Sequence, residues 1–148
     1  MSPRRTTEVL IVLTILVISM GGMIRIYDAG ESCPDWPTCF GTWGFDISEE
    51  EQGEWWEENP DEADSRGSGH RYSSFQIFTE WFHRLLAGAF VGPLVILNWL
   101  LIRKEAWTSP RVKGVSSLTL GLILWQGAIG WLTVKMDNEN WSVAIHLG

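Results

Sequence analysis

The sequence predicts an all-α membrane protein, a four-helix transmembrane bundle whose fourth helix is incomplete in this chain. Three long apolar stretches carry no charged residue, and basic residues gather near their ends. Residues 27–74 hold 13 of the 18 acidic residues and only two of the 11 basic ones. The overall charge of −7 and mean hydropathy of +0.02 therefore average over very different segments. Because the dense charge is negative, nucleic acid is excluded as a partner.

The first predicted span covers about residues 8–26. Its uncharged core runs from Val9 to Ile24, 16 residues, and flanking residues extend it towards the length that a bilayer core requires. A cleaved signal peptide is the alternative, but the apolar run is long for one. No A-x-A cleavage pattern follows it. We therefore expect the segment to be retained as a membrane helix.

The acidic segment 27–74 is expected to be an extracytoplasmic loop. It contains both cysteines, Cys33 and Cys39, for which a disulfide is the simplest state on an oxidising face. Two reduced thiols and a redox-active pair are the alternatives. The stretch 46–64 has few aliphatic residues, so we expect a mobile or surface-hugging insert whose Trp55 and Trp56 dip into lipid headgroups.

The second and third spans are predicted over about residues 75–102 and 114–134. Their uncharged runs contain 18 and 21 residues. Positive residues collect on the cytoplasmic side of short loops. The cations that place the amino terminus and the 103–113 connection inside are Arg4, Arg5, Arg103, Lys104, Arg111 and Lys113. The prediction is a multi-pass cell-membrane protein with a cytoplasmic amino terminus.

A fourth apolar run begins at residue 141 and stops at 148. Eight helical residues rise only about 12 Å, less than half of the bilayer core. A helix cut at mid-depth leaves backbone carbonyls without partners. We therefore expect residues 141–148 to be the start of a fourth helix in an incomplete record, with a partial helix as the alternative.

Ionisable residues mark one end of the predicted helices. Glu80 and His83 are three residues apart, so they share a helix face. His146 is expected at a depth similar to that of His83 but on a different helix, which suits two axial ligands of one haem iron. A helix–helix hydrogen bond is the better explanation for either histidine alone, but two at matched depth favour function.

Arginine and glycine residues surround this end of the predicted bundle. Arg25 and Arg84 are candidate partners for anionic groups such as haem propionates, with headgroup anchoring as the alternative. Two glycine pairs, Gly21 with Gly22 and Gly127 with Gly130, would permit close approach of a helix or a flat macrocycle.

Together these motifs resemble the amino-terminal half of haem A synthase, or a half-size member of that family. The resemblance covers residues 21–41 and 75–148. It is carried by Gly21-Gly-Met-Ile-Arg25, Cys33-Pro-Asp-Trp-Pro-Thr-Cys39-Phe-Gly41, Glu80-Trp-Phe-His83-Arg84, Trp125-Gln-Gly-Ala-Ile-Gly130 and Val143-Ala-Ile-His146-Leu147. The cysteine loop and the Glu-x-x-His-Arg motif are specific together, whereas the glycine pairs are weak alone.

The resemblance implies a function and a set of residue roles. His83 and His146 would be the axial ligands of a haem iron, Glu80 the acidic residue beside the reacting group, and Cys33–Cys39 an outer-loop disulfide. The reaction would oxidise the C8 methyl group of haem O to a formyl group, giving haem A for terminal oxidases.

The resemblance also implies cofactors and partners. The bound group would be haem b, haem O or haem A, with haem O synthase as a partner and an electron donor that the sequence does not identify. Only one histidine pair is present, so association of two chains as a homo-oligomer is an alternative to a missing second bundle. The rival functions are a bis-histidine membrane cytochrome b that transfers electrons without modifying haem, and a membrane anchor without haem.

Overall fold

The computed structural model describes residues 1–62, 64–106, 108–136 and 138–147, and their regular structure is helical. Within these ranges the only β-type pairing is one isolated bridge between Cys39 and Thr42. The helices are α1 (Pro3–Ile26), α2 (Glu49–Glu58), α3 (Ser74–Leu85), α4 (Gly92–Lys104), α5 (Pro110–Lys135) and α6 (Asn140–Leu147). Gly148, the last residue of the predicted fourth run, lies outside the described residues.

Three helical segments are long and apolar enough to cross a membrane. They are Pro3–Ile26 with 24 residues, Ser74–Lys104 with 31 and Pro110–Lys135 with 26. Two of them begin at a proline, which lacks the N–H that the first helical turn would leave without a partner. The prediction of an all-α, multi-pass membrane protein is confirmed.

The second membrane segment contains a π-helical turn, Leu86–Val91, between α3 and α4. Pro93 follows at the start of α4. Proline cannot donate a backbone hydrogen bond, and its ring would clash with the carbonyl of residue 89 in a regular α-helix. The wider turn just before Pro93 is the local accommodation that a membrane helix uses at such a site.

The chain divides into two compact units. The first comprises Met1–Ser19 and Arg84–Ala128. Its core is apolar, with Leu10, Val91 and Val95 buried together. Polar contacts also join α1 to α4 in it, because Oδ1 of Asn98 lies 2.5 Å from the hydroxyl of Thr6 and 3.3 Å from that of Thr7.

The second unit comprises Met20–His83 and the segment from Ile129 onward. Its core is built from the cysteine loop, α2 and the start of α3. The buried side chains are Cys33, Cys39, Phe40, Ile47, Trp56, Tyr72 and Ile77. Every residue proposed from the sequence as a site residue belongs to this unit except Arg84.

The acidic insert contains a folded helix, so the expectation of a mobile segment is wrong for α2. Ser48 and Glu51 form a reciprocal capping box that starts α2. The ring of Trp56 is only 4% exposed and meets Phe40 edge-to-face, which is incompatible with insertion into headgroups. The prediction of mobility rested on the many acidic residues. It did not consider that the aromatic residues of α2 pack against the cysteine loop.

Residue Gln52 fixes α2 to the chain just before α3. Its side chain is fully buried, its amide nitrogen donates to the carbonyl oxygen of Tyr72 at 3.0 Å, and its amide oxygen accepts from the Tyr72 N–H at 2.8 Å. The Tyr72 hydroxyl donates to Asp64. Burial, reinforced by that carboxylate, raises the pKa of Tyr72 well above its usual value.

Candidate functional site

The carboxylate of Glu80 is buried against the cysteine loop. Glu80 lies on α3 and is only 4% exposed. Its Oε2 accepts a hydrogen bond from the backbone N–H of Cys33 at 3.0 Å and lies 3.0 Å from the hydroxyl of Ser32. The loop therefore fixes the position of this carboxylate, and hydrogen bonding offsets the cost of burying it.

Ser32 can serve Glu80 in two ways because its hydroxyl carries one proton. The Ser32 oxygen lies 2.9 Å from the Ala29 carbonyl oxygen and 3.0 Å from the Gln76 carbonyl oxygen, besides its contact with Glu80. When the hydroxyl donates to Glu80, it supports the ionised carboxylate. When it donates to a carbonyl, its lone pair can accept a proton from the neutral acid. Ser32 can therefore form a hydrogen bond with Oε2 of Glu80 whether the carboxyl group is ionised or protonated.

The two cysteines close the loop that holds Ser32. The sulfurs of Cys33 and Cys39 lie 2.03 Å apart as a disulfide, and both residues are 1% exposed. Asp35 accepts hydrogen bonds from the hydroxyl of Thr38, inside the ring, and from the backbone N–H of Gly41, just after it. The ring is therefore cross-linked twice, by a covalent bond and by a carboxylate.

His83 packs against a glycine of another helix. A Cβ atom added at Gly21 of α1 would lie 3.4 Å from Cε1 of the imidazole and 3.8 Å from its Nδ1. Both distances are in the range of van der Waals contact. Glycine at this position therefore lets the imidazole lie close to the backbone of α1. Gly22, its neighbour, has nothing within 4 Å of that position.

His146 has the same arrangement in a tighter form. A Cβ atom at Gly130 of α5 would come within 2.9 Å of Cε1 of the imidazole, so a side chain there would displace the ring. Gly127, one turn earlier on α5, has nothing within 4 Å. The structure thus separates each predicted glycine pair into one member that faces a histidine and one that faces open space.

The arginines differ in setting. Arg25 is exposed in the last turn of α1, whereas Arg84 is half-buried and directly follows His83. Guanidinium groups bind carboxylates with paired hydrogen bonds. Both arginines are therefore chemically suited to bind propionates, and this role stays a prediction.

The sequence reasoning missed Ser32, which the structure places against Glu80. A serine next to a cysteine carries no periodicity or spacing signal, and its partner is 48 positions away in the chain. Its position directly before the cysteine loop is the one feature that could have drawn attention to it.

The described residues fit a haem. Neutral imidazoles are the usual nitrogen ligands of haem iron, and His83 and His146 lie on different helices. Each ring packs on a glycine backbone, at 3.4 Å and 2.9 Å from the position of an added Cβ. Glycine at both places keeps each imidazole close to a helix backbone and so limits the orientations that the ring can adopt.

Comparison with known proteins gives a consistent result. The family model described as COX15-CtaA, cytochrome oxidase assembly protein, matches residues 4–148. A heme A synthase of Shewanella oneidensis is 35% identical over 140 residues, covering 95% of this chain and 39% of that protein. A heme A synthase of Chelativorans is 30% identical, covering 93% of this chain and 40% of that protein.

A third relative is a heme A synthase-mitochondrial ferredoxin fusion protein of Schizosaccharomyces pombe, 30% identical over 83% of this chain and 20% of its own length. The chain thus spans two fifths or less of these three curated relatives. No solved structure gives a significant match.

Proposed function

The chain belongs to the COX15-CtaA family of cytochrome oxidase assembly proteins, and from that premise we propose that it carries a haem-oxidising site of the haem A synthase type. The substrate is haem O, whose C8 methyl group is oxidised to the formyl group of haem A. The observation that carries the proposal is the burial of Glu80 under the cysteine loop, three residues before His83. The names of the curated relatives support the same reaction.

In this proposal His83 and His146 would hold the haem through its iron. Haem iron supplies one-electron redox chemistry and the capacity to activate oxygen. The glycines limit the orientation of each imidazole through close contact, as Gly130 does for His146. Arg25 and Arg84 would be the partners of its propionates.

Glu80 handles a proton beside the reacting group. A general acid or base has to be held within hydrogen-bond reach of the group it serves, and a carboxylate can take either role. Ser32 and the Cys33 N–H hold Oε2 through contacts of 3.0 Å, so the carboxylate is fixed in position. Ser32 is a positioning residue in this scheme, because it acts through Glu80.

The cysteine loop excludes water from Glu80. The loop carries the disulfide and the N–H that binds Oε2, and its core includes Phe40 and Trp56. A water-poor setting strengthens the electrostatic interactions that operate at such a carboxylate. The disulfide is structural in this proposal, since it holds the Cys33 N–H in place.

The proposal is tested with the protein in a membrane that also contains a source of haem O. Haems are extracted and separated by chromatography, and the absorbance spectrum of the purified protein reports bound haem. We expect haem A from the wild type. Glu80→Gln should retain haem and its spectrum but lower haem A by about 100-fold or more, the size of a general acid–base contribution.

The matched control is Glu54→Gln, which removes an exposed acidic residue of α2 in the same unit. It should give wild-type amounts of haem A. Undiminished haem A from Glu80→Gln would overturn the role of Glu80. Accumulation of haem O alone with a haem-loaded wild type would overturn the enzymatic function and leave an electron-transfer cytochrome.

A further inference from the structure

An uncharged aromatic stretch lies within the acidic loop. Between Asp35 and Asp46, residues 36–45 carry no charged side chain and include four aromatic ones, Trp36, Phe40, Trp43 and Phe45. In a segment that otherwise holds 13 acidic residues, this composition sets the stretch apart. It is called the aromatic loop below.

The aromatic loop has an inward and an outward face. Phe40 is 5% exposed and belongs to the core of the second unit. Trp36, Trp43 and Phe45 are 48%, 74% and 36% exposed. Of these, Trp43 and Phe45 both contact Trp81, and exposed apolar side chains that lie together mark an interaction site with a partner or a membrane.

Contacts with α3 fix the depth of this outward face. The indole N–H of Trp81 donates to the carbonyl oxygen of Trp43 at 2.8 Å, and the Phe45 ring lies 4.9 Å from that of Trp81 and 5.0 Å from that of Phe78. Trp81 lies one helical turn before Leu85, where the uncharged run to Ile102 begins. That run rises about 27 Å, close to the thickness of the bilayer core. Trp43 therefore lies beside the part of α3 that directly precedes this run.

Much of the backbone of the aromatic loop is hydrogen-bonded within the protein. The Cys39 N–H donates to the Thr42 carbonyl oxygen at 2.9 Å, and the Thr42 N–H donates to the Cys39 carbonyl oxygen at 3.1 Å. The N–H groups of Gly41 and Gly44 are bound by the side chains of Asp35 and Thr42, respectively. Together with the Trp81–Trp43 bond, these pairings lower the cost of placing non-helical backbone near lipid.

We propose that the aromatic loop inserts into the membrane interface on the side where α3 begins, with Trp36, Trp43 and Phe45 against lipid. The partner is the boundary between lipid headgroups and acyl chains. Tryptophan prefers this region because its ring is apolar and its N–H is polar. The surface is also continuous with the span, since Phe78 stacks on Phe82 at 5.5 Å further along α3. The exposed acidic residues of α2 lie outside this stretch, and exposed Asp46 directly follows it.

The insertion is tested with nitroxide spin labels on the full chain in phosphatidylcholine vesicles. The native cysteines are joined as a disulfide, so Trp43→Cys and Trp36→Cys each offer a single reactive thiol. Collisions with oxygen, which concentrates in lipid, are compared with those of a water-soluble nickel chelate. We expect an oxygen-to-nickel accessibility ratio several-fold higher at positions 36 and 43 than at Glu54→Cys on the exposed face of α2.

Two outcomes overturn the proposal. Equal ratios at positions 43 and 54 mean that the loop faces water, and low accessibility to both reagents at position 43 means that protein covers it. If a cysteine variant does not fold, quenching by brominated phosphatidylcholine is compared between the wild type and Trp36→Phe/Trp43→Phe. Insertion predicts less quenching in the double variant, and unchanged quenching contradicts it.

Discussion

At the scale of single residues, the histidines depend on glycines that the sequence could only mark as small. Gly130 and Gly127 lie one turn apart on α5, yet only Gly130 faces an imidazole. The same is true of Gly21 beside Gly22 on α1. Each glycine that faces an imidazole therefore has a matched control glycine on the same helix.

Gly130→Ala should displace the ring of His146. The added Cβ would lie 2.9 Å from Cε1, closer than a packed core accepts, and overpacking of this kind costs about 1–3 kcal/mol. We expect the haem content of the purified protein, measured by absorbance and haem extraction, to fall several-fold. Gly127→Ala adds the same methyl group to open space and should leave it unchanged. Equal haem content in the two variants would disprove a role of His146 in holding haem.

Ser32→Ala should lower haem A formation by about 10-fold while haem binding stays constant, because it removes one partner of Glu80 and leaves the Cys33 N–H. A shift in the pH profile of haem A formation should accompany the loss, which a purely structural defect would not produce. Ser32→Thr keeps a hydroxyl and should restore activity. Failure of Ser32→Thr to do so, with an unchanged profile in Ser32→Ala, would contradict the positioning role.

At the scale of elements, the acidic insert is a helix because local and tertiary signals agree. The Ser48–Glu51 capping box satisfies the first turn, and a hydrogen bond from the Ser48 backbone N–H lowers the pKa of the Glu51 carboxyl. Trp56 and Gln52 then bury one face of α2. The two basic residues of the loop add further contacts. Arg71 donates a hydrogen bond to the Glu49 carbonyl oxygen at 3.0 Å, and Arg66 forms an ion pair with Asp28 at 3.3 Å.

Gln52→Ala should loosen α2 from the chain before α3. It leaves the buried N–H and carbonyl groups of Tyr72 without the partners that Gln52 supplies, at a cost of about 1–3 kcal/mol. Trypsin should then cleave after Arg66 and Arg71 about 10-fold faster or more. Glu54→Ala, exposed on the same helix, serves as the control and should be cleaved at the wild-type rate. Equal rates in both variants would show that Gln52 does not anchor the helix.

At the scale of the whole molecule, charge is segregated along the chain. Residues 27–74 carry a net charge of −11, while the remaining hundred residues carry +4. The short connection between the second and third spans holds four basic residues, Arg103, Lys104, Arg111 and Lys113. The positive-inside rule then predicts an orientation with the acidic loop outside.

Replacing these four cations with glutamine should weaken that orientation. We expect topology reporters fused in the 105–109 connection and within the 59–62 turn to give opposite sides in the wild type and a mixed distribution in the variant. Replacing Arg66 and Arg71 instead removes two cations from the long loop and should leave the orientation unchanged. A uniform orientation in the fourfold variant would mean that other features set the topology.

The sequence alone determined the membrane class, the helices and the candidate ligands. Apolar runs of 16, 18 and 21 residues allow little but helices in lipid, because the backbone has to satisfy its own hydrogen bonds there. His83, His146 and Glu80 could be singled out because ionisable groups are rare at membrane depth and these three lie at the ends of predicted membrane helices. These are local properties that can be read from neighbouring residues.

Only the tertiary structure decided which groups meet. Ser32 reaches Glu80 across 48 positions, and Asn138 reaches the Gly30 carbonyl across 108. It also decided that α2 packs on the cysteine loop and which glycine of each pair faces an imidazole. Composition and periodicity say which face of an element is apolar, but not which partner covers it. That choice follows from side-chain packing between segments far apart in sequence.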